Sequence, residues 1–116
     1  MKDRRVIQSR FMQDTLAVRL GGLAANLSRV KSFAGHDANS AAVESMVEES
    51  KYFIEWSVPE MEVDKAAVLV EMQVELARWQ RRWGEVWNDK KYRLQAAEQS
   101  GKWSQHVLEL SGLLDG

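Results

Sequence analysis

Residues 57–87 read SVPEMEVDKAAVLVEMQVELARWQRRWGEVW, and this stretch decides the fold. Within it Leu69, Met72, Leu76, Trp79, Trp83 and Val86 follow one another at intervals of 3, 4, 3, 4 and 3. An α-helix turns once in about 3.6 residues, so this alternation stacks the six side chains on one stripe. A half-buried strand would need alternation with period two. Trp79 and Trp83 share the stripe and are expected in the core. Ser57-Val58-Pro59-Glu60 has the form of a capping box, with Ser57 as N-cap and Glu60 reaching back to it. Pro59 then falls in the first turn, where its missing N–H costs little. Glu60, Glu62 and Asp64 suit the positive end of a helix. Beyond Trp87 the pattern thins. Asn88-Asp89 can cap a new helix, or the helix can run on to Ser100 with Gly101 closing it. The continuous or kinked helix is preferred.

The same period extends outward in both directions. Leu16, Leu20, Leu23, Leu27 and Val30 are spaced 4, 3, 4 and 3, and Ile7, Phe11 and Met12 extend their stripe backwards. A first helix is predicted over residues 3–34, with Gly35 closing it and Lys31 near its negative end. A second is predicted over 37–57, begun by Asp37, Asn39 or Ser40. Its buried side is Val43, Met46, Val47, Ser50, Phe53, Ile54 and Ser57, flanked by Tyr52 and Trp56. A short last helix, about 102–114 and ending near Gly112, carries Trp103, Val107, Leu110 and Leu114. At ~1.5 Å per residue the three long helices would span roughly 48, 30 and 60 Å. The expected fold is all-α: an elongated up-and-down antiparallel bundle of three long helices plus a short C-terminal helix. One domain over 1–116 is expected, since no repeat, low-complexity tract or linker interrupts the chain.

Composition excludes several classes of function. The 116 residues hold no cysteine, so there is no disulfide framework, no thiol catalysis and no cysteine-ligated metal. The longest stretch without a charge, Leu20 to Ser28, is far short of the ~20 apolar residues of a membrane span. Met1 to Arg10 carries positive charge with no apolar run behind it, so no secretory leader is expected. His36 and His106 are the two histidines, and neither follows a Glu by three residues, as in helical di-metal sites. Leu20-Gly21-Gly22-Leu23 has neither the preceding strand nor the following Gly-Lys of a phosphate loop. No metal and no cofactor is expected.

Charge falls in blocks. Residues 1–35 carry seven basic and two acidic groups, 36–77 two and ten, 78–93 six and two, and 94–116 one and three. A basic first helix beside acidic neighbours would favour one packing register. The block 78–93 interleaves Arg78, Arg81, Arg82, Lys90, Lys91 and Arg93 with Trp79, Trp83, Trp87 and Tyr92, a composition suited to phosphate contact and base stacking. An isoelectric point near 6.1 argues against a dedicated nucleic-acid binder. Arg29, followed after six residues by His36, resembles the motif of the HEPN ribonucleases, helical bundles in which such a pair cleaves RNA across a dimer. That family carries its motif late in the bundle, whereas here it would end the first helix.

Two features point to association. Ala17, Gly21 and Ala25 stand four apart, and helix-interior glycines cost ~1 kcal/mol each relative to alanine. Close approach of another helix, from the same chain or a second copy, would compensate. Five tryptophans bring large apolar surface, and Trp56, Trp87 and Trp103 are the interface candidates among them. The runs Tyr52-Phe53-Ile54-Glu55-Trp56-Ser57-Val58-Pro59-Glu60, Leu76-Ala77-Arg78-Trp79-Gln80 and Val107-Leu108-Glu109-Leu110-Ser111-Gly112-Leu113-Leu114 are similar to a small all-helical family associated with cyanobacteria. That resemblance implies a soluble cytoplasmic protein with no assigned activity and transfers no catalytic residue. The expected function is non-enzymatic: protein–protein contact, with a homodimer as the expected assembly. The alternative is RNA-directed, through the 78–93 segment or through Arg29 and His36.

Overall fold

The computed structural model describes residues 3–115. Met1, Lys2 and Gly116, which the expected span of 1–116 includes, lie outside the described residues. The chain is all-α, with no strand among those residues. Six α-helices follow in order: α1 Arg4–Met12, α2 Leu16–Phe33, α3 Ser40–Ser57, α4 Val63–Arg81, α5 Trp83–Asn88 and α6 Lys90–Ser111. Short 3₁₀ turns stand at Asp37–Asn39, Val58–Glu60 and Leu113–Asp115.

The expected first helix over 3–34 is two helices, because Asp14-Thr15 is a capping sequence inside it. Thr15 is extended (φ −64°, ψ 160°), and its Oγ1 accepts the Val18 N–H at 3.3 Å. Arg19 Nε donates to the Asp14 carbonyl at 3.1 Å and holds the break. The bend lays Phe11 on Phe53, ring centroids 4.2 Å apart and 7° from parallel.

The expected capping box at Ser57 does not form. Ser57 makes no capping hydrogen bond, and Val58–Glu60 is a 3₁₀ turn, so α4 begins at Val63 with Glu62 as N-cap residue. The reason is Glu60, whose carboxylate is taken by Arg19, with Nη1–Oε2 at 2.7 Å and Nη2–Oε1 at 2.8 Å.

The preferred continuous helix through Asn88-Asp89 is also corrected. Arg82 leaves helical geometry (φ −112°, ψ 33°), and Asp89 is extended with its side chain accepting the Lys91 and Tyr92 N–H groups. Asp89 is therefore a true N-cap. The separate last helix over 102–114 is absent: α6 runs unbroken through Gly101 and ends at Gly112, whose φ of +79° closes it in the left-handed conformation.

Neighbouring helices run antiparallel, as their contacts show. Asn26 Nδ2 reaches Glu49 and Arg19 Nη1 reaches the Trp56 carbonyl, so α3 descends where α2 rises. Ser104 Oγ donates to the Ala24 carbonyl at 2.7 Å, while Gly101 lies beside Lys31 and Leu113 beside Gly21. Gln73 Nε2 donates to the Lys51 carbonyl at 3.0 Å across α3 and α4. The packing order in space is α6, α2, α3, α4. The radius of gyration is 13.8 Å and the extents are 37 × 30 × 22 Å. About 13 Å is normal for a compact domain of this length, so the expected elongation is not found. Four principal helices of 18 to 22 residues replace three very long ones.

The core is one contiguous cluster. Leu20, Leu23, Leu27 and Val30 are buried on α2, with Leu16 half-buried, and Leu69, Met72, Leu76 and Trp79 are buried on α4. Trp83 is half-buried and packs against that cluster, its Nε1 donating to Ser40 Oγ at 3.1 Å.

Candidate functional site

Helix α4 is apolar on two opposite faces. The inward face is the Leu69–Met72–Leu76–Trp79 stripe. The outward one is Val63, Ala67, Val70, Val74 and Ala77, spaced 4, 3, 4 and 3. At 100° per residue its centre lies roughly 160° around the helix from the inward stripe. All five are exposed, Val63 at 82%, Val70 at 40% and Val74 at 47%. Asp64, Glu71 and Arg78 line one edge of this face at seven-residue intervals, and Ala66, Gln73 and Gln80 line the other. Val74 and Ala77 also wall a shallow trough of about 350 Å³ against Lys51, Tyr52 and Glu55 of α3.

Between α4 and α6 the bundle is open along a groove of about 620 Å³. Its floor is apolar, with Met72 and Ala96, and the Trp79 and Trp103 rings stack across it at 5.1 Å, 22° from parallel. Glu71 and Glu75 stand on one lip, Gln95, Gln99 and His106 on the other. Arg78 Nη1 lies 3.3 Å from Glu75 Oε2. Among the described residues no three His, Asp or Glu side chains converge as metal ligands.

The residues singled out from the sequence are dispersed. Gly21 is covered within the chain: a Cβ there would stand 2.9 Å from Leu113 Cδ1. Ala17 is half-buried and Ala25 exposed. Trp56 is half-buried among Phe11, Tyr52 and Phe53. Trp87 is buried, donating from Nε1 to the Asp37 carbonyl at 3.2 Å. Trp103 lines the α4–α6 groove. These side chains do not form one surface.

The basic segment divides in the same way. Arg93 is turned inward, 8% exposed, with Nη2 2.8 Å from Asp37 Oδ1 and its guanidinium 4.7 Å from the Trp87 ring centroid. Arg78, Arg81, Arg82, Lys90 and Lys91 are exposed. Of the HEPN-like pair, Arg29 donates to Asn26 Oδ1 at 2.6 Å, in a network continuing to Glu49, and His36 stands exposed past the end of α2.

Two carboxylates are held below their ordinary range. Asp37 is lowered first by the hydrogen bond from Arg93, then by its charge, with smaller help from Lys90 and His36. Glu60 is lowered by the hydrogen bond and charge of Arg19. Both tie down buried arginines.

The outward face of α4 is not evident from the large apolar residues of that helix, which all mark the inward stripe. Its signal was in the sequence: five small or β-branched residues repeating the 4, 3, 4, 3 interval out of phase with the core stripe. No helix is long and apolar enough to cross a membrane among the described residues. No protein family, no curated protein and no solved structure matches this chain.

Proposed function

We propose that this chain is a non-enzymatic helical protein that acts through protein–protein contact and associates with itself. The observation that carries the reading is the double-faced α4. A helix that lies on the surface of a soluble bundle needs one apolar stripe, and the second is exposed along its length, with only Val74 and Ala77 bordering the shallow trough against α3. The α4–α6 groove, floored by stacked tryptophans, adds a further apolar opening at the same helix. The setting in this reading is the cytoplasm, where a fold without disulfides loses nothing.

The RNA-directed reading is weaker on the same geometry. Arg93 is withdrawn into an ion pair and Trp79 and Trp87 are buried, which leaves the basic groups with only the half-buried Trp83 and Tyr92 for stacking. Light scattering over a concentration series tests the two together with RNA retardation at low salt. A mass rising toward twice 13.3 kDa, with no retarded RNA, is the expected result. A mass fixed at one chain at all concentrations would overturn self-association, and salt-sensitive RNA retardation lost on reversing Arg81 and Arg82 would favour the alternative.

A further inference from the structure

We infer that the outward face of α4 is a two-fold interface, in which α4 packs antiparallel against α4 of a second copy. The inference rests on the self-association reading and assigns the surface that serves it. The 4, 3, 4, 3 spacing of Val63, Ala67, Val70, Val74 and Ala77 is the seam along which helices pack at about 20° with interlocking side chains.

Orientation follows from size and charge. Antiparallel pairing about a centre near residue 72 sets Ala67 level with Ala77 of the second copy, and Val70 level with Val74. Small residues then meet small ones at the two flanks and valines meet valines at the middle. At each end Arg81, next in the same spacing, meets Val63, against which its methylene stem can lie while its charge stays in water.

The edges decide the matter. In a parallel pair the Asp64–Glu71–Arg78 edge would face the Ala66–Gln73–Gln80 edge, with no charge pairing at all. In the antiparallel pair the charged edge faces itself. Asp64 then meets Arg78 of the second copy, twice by symmetry. Glu71 meets its own copy, a single repulsion against two attractions. The face is short, at the small end of specific interfaces, so the dimer is a reversible one.

Asp64 and Arg78 are 14 residues apart, about 21 Å along one helix, and cannot touch within a chain. That separation means only a second copy can bring the two charges together, and the double reversal sets this pairing apart from the intrachain contact of Arg78 with Glu75. Sedimentation equilibrium is run on the natural chain, Val70→Glu, Asp64→Arg, Arg78→Asp and the double reversal Asp64→Arg with Arg78→Asp, with helical content checked by circular dichroism. All three positions are exposed, so the fold is expected to stand. Val70→Glu should weaken association on the order of 100-fold, by setting a carboxylate in the seam. Each single reversal should weaken it about tenfold, and the double reversal should return it to within about twofold of the natural chain. If the natural chain is monomeric throughout, the self-association reading falls and the inference with it. A dimer untouched by Val70→Glu and by both single reversals would overturn this surface alone, leaving self-association in place. Weakened singles with no rescue in the double would overturn the antiparallel register.

Discussion

Asp37, on the turn before α3, holds Arg93 of α6 across 2.8 Å, the carboxylate 83% exposed and the arginine 8%. The pair sets the start of α3 against α6 and keeps a buried guanidinium compensated. Asp37→Asn removes the charge and leaves Arg93 unpaired, which is costly for a desolvated cation. The folded-state pKa of Asp37 is lowered, so its contribution is fully present above the ordinary carboxylate range and is lost as pH falls below that range through the lowered folded-state value. Thermal melts should show the variant less stable than the natural chain at pH 7. The gap should close as pH falls below ~4, the ordinary aspartate value. Glu60→Gln, opposite Arg19, should behave in the same way.

Three glycines answer differently to alanine. Gly84 lies inside α5 with nothing within 4 Å of an added Cβ, and at Gly101 the Cβ would meet the flexible Lys31 stem at 2.7 Å. The exposed lysine can move aside, so both substitutions should stabilise by about 0.5–1 kcal/mol through helix propensity. Gly112 sits at φ +79°, and alanine there should destabilise by about 1–2 kcal/mol. Urea unfolding midpoints give the signs directly.

Leu76 is fully buried at the centre of the inward α4 stripe. Leu76→Ala should cost about 2–5 kcal/mol by the same urea titration, transfer and cavity terms together. Val70→Ala on the opposite face should leave monomer stability within about 0.5 kcal/mol. The contrast measures how unlike the two apolar faces of one helix are in the isolated chain.

The helical class and the inward stripes were legible because burial imposes a period that no other constraint erases. Leu23, Leu27, Leu69 and Leu76 are the examples. Breaks were harder, since they depend on which partner captures a polar side chain. Glu60 reads as half of a capping box until Arg19, 41 residues away, takes its carboxylate. Asp89 is a good N-cap in the sequence, and its extended backbone does end α5 and start α6; the separate break at Arg82, between α4 and α5, has no capping residue to announce it. Gly101 reads as a helix end, but α6 runs through it beside α2, with Gly101 next to the Lys31 stem and Ser104 Oγ donating to the Ala24 carbonyl. Of the candidate site, the basic run was visible, while the inward turn of Arg93 toward Asp37 required the fold.

Glu71 offers a prediction of the opposite sign from the other charges on α4. In the two-fold pairing it faces itself, so Glu71→Gln should tighten association, by about two- to fivefold for a surface charge pair. Sedimentation at low and moderate salt should show the gain shrinking as screening rises.

The measurement that bears most directly on the α4 interface uses the absence of cysteine, which leaves no background for a disulfide. Ala67→Cys and Ala77→Cys chains are prepared separately, then oxidised alone and as a mixture. In the antiparallel pair position 67 stands level with 77 of the second copy, while like positions lie about 15 Å apart. Cross-linked dimer is expected in the mixture, and little in either chain alone. Linking of each chain to itself as readily as to the other, or no linking at concentrations where light scattering finds dimer, would contradict the antiparallel pairing.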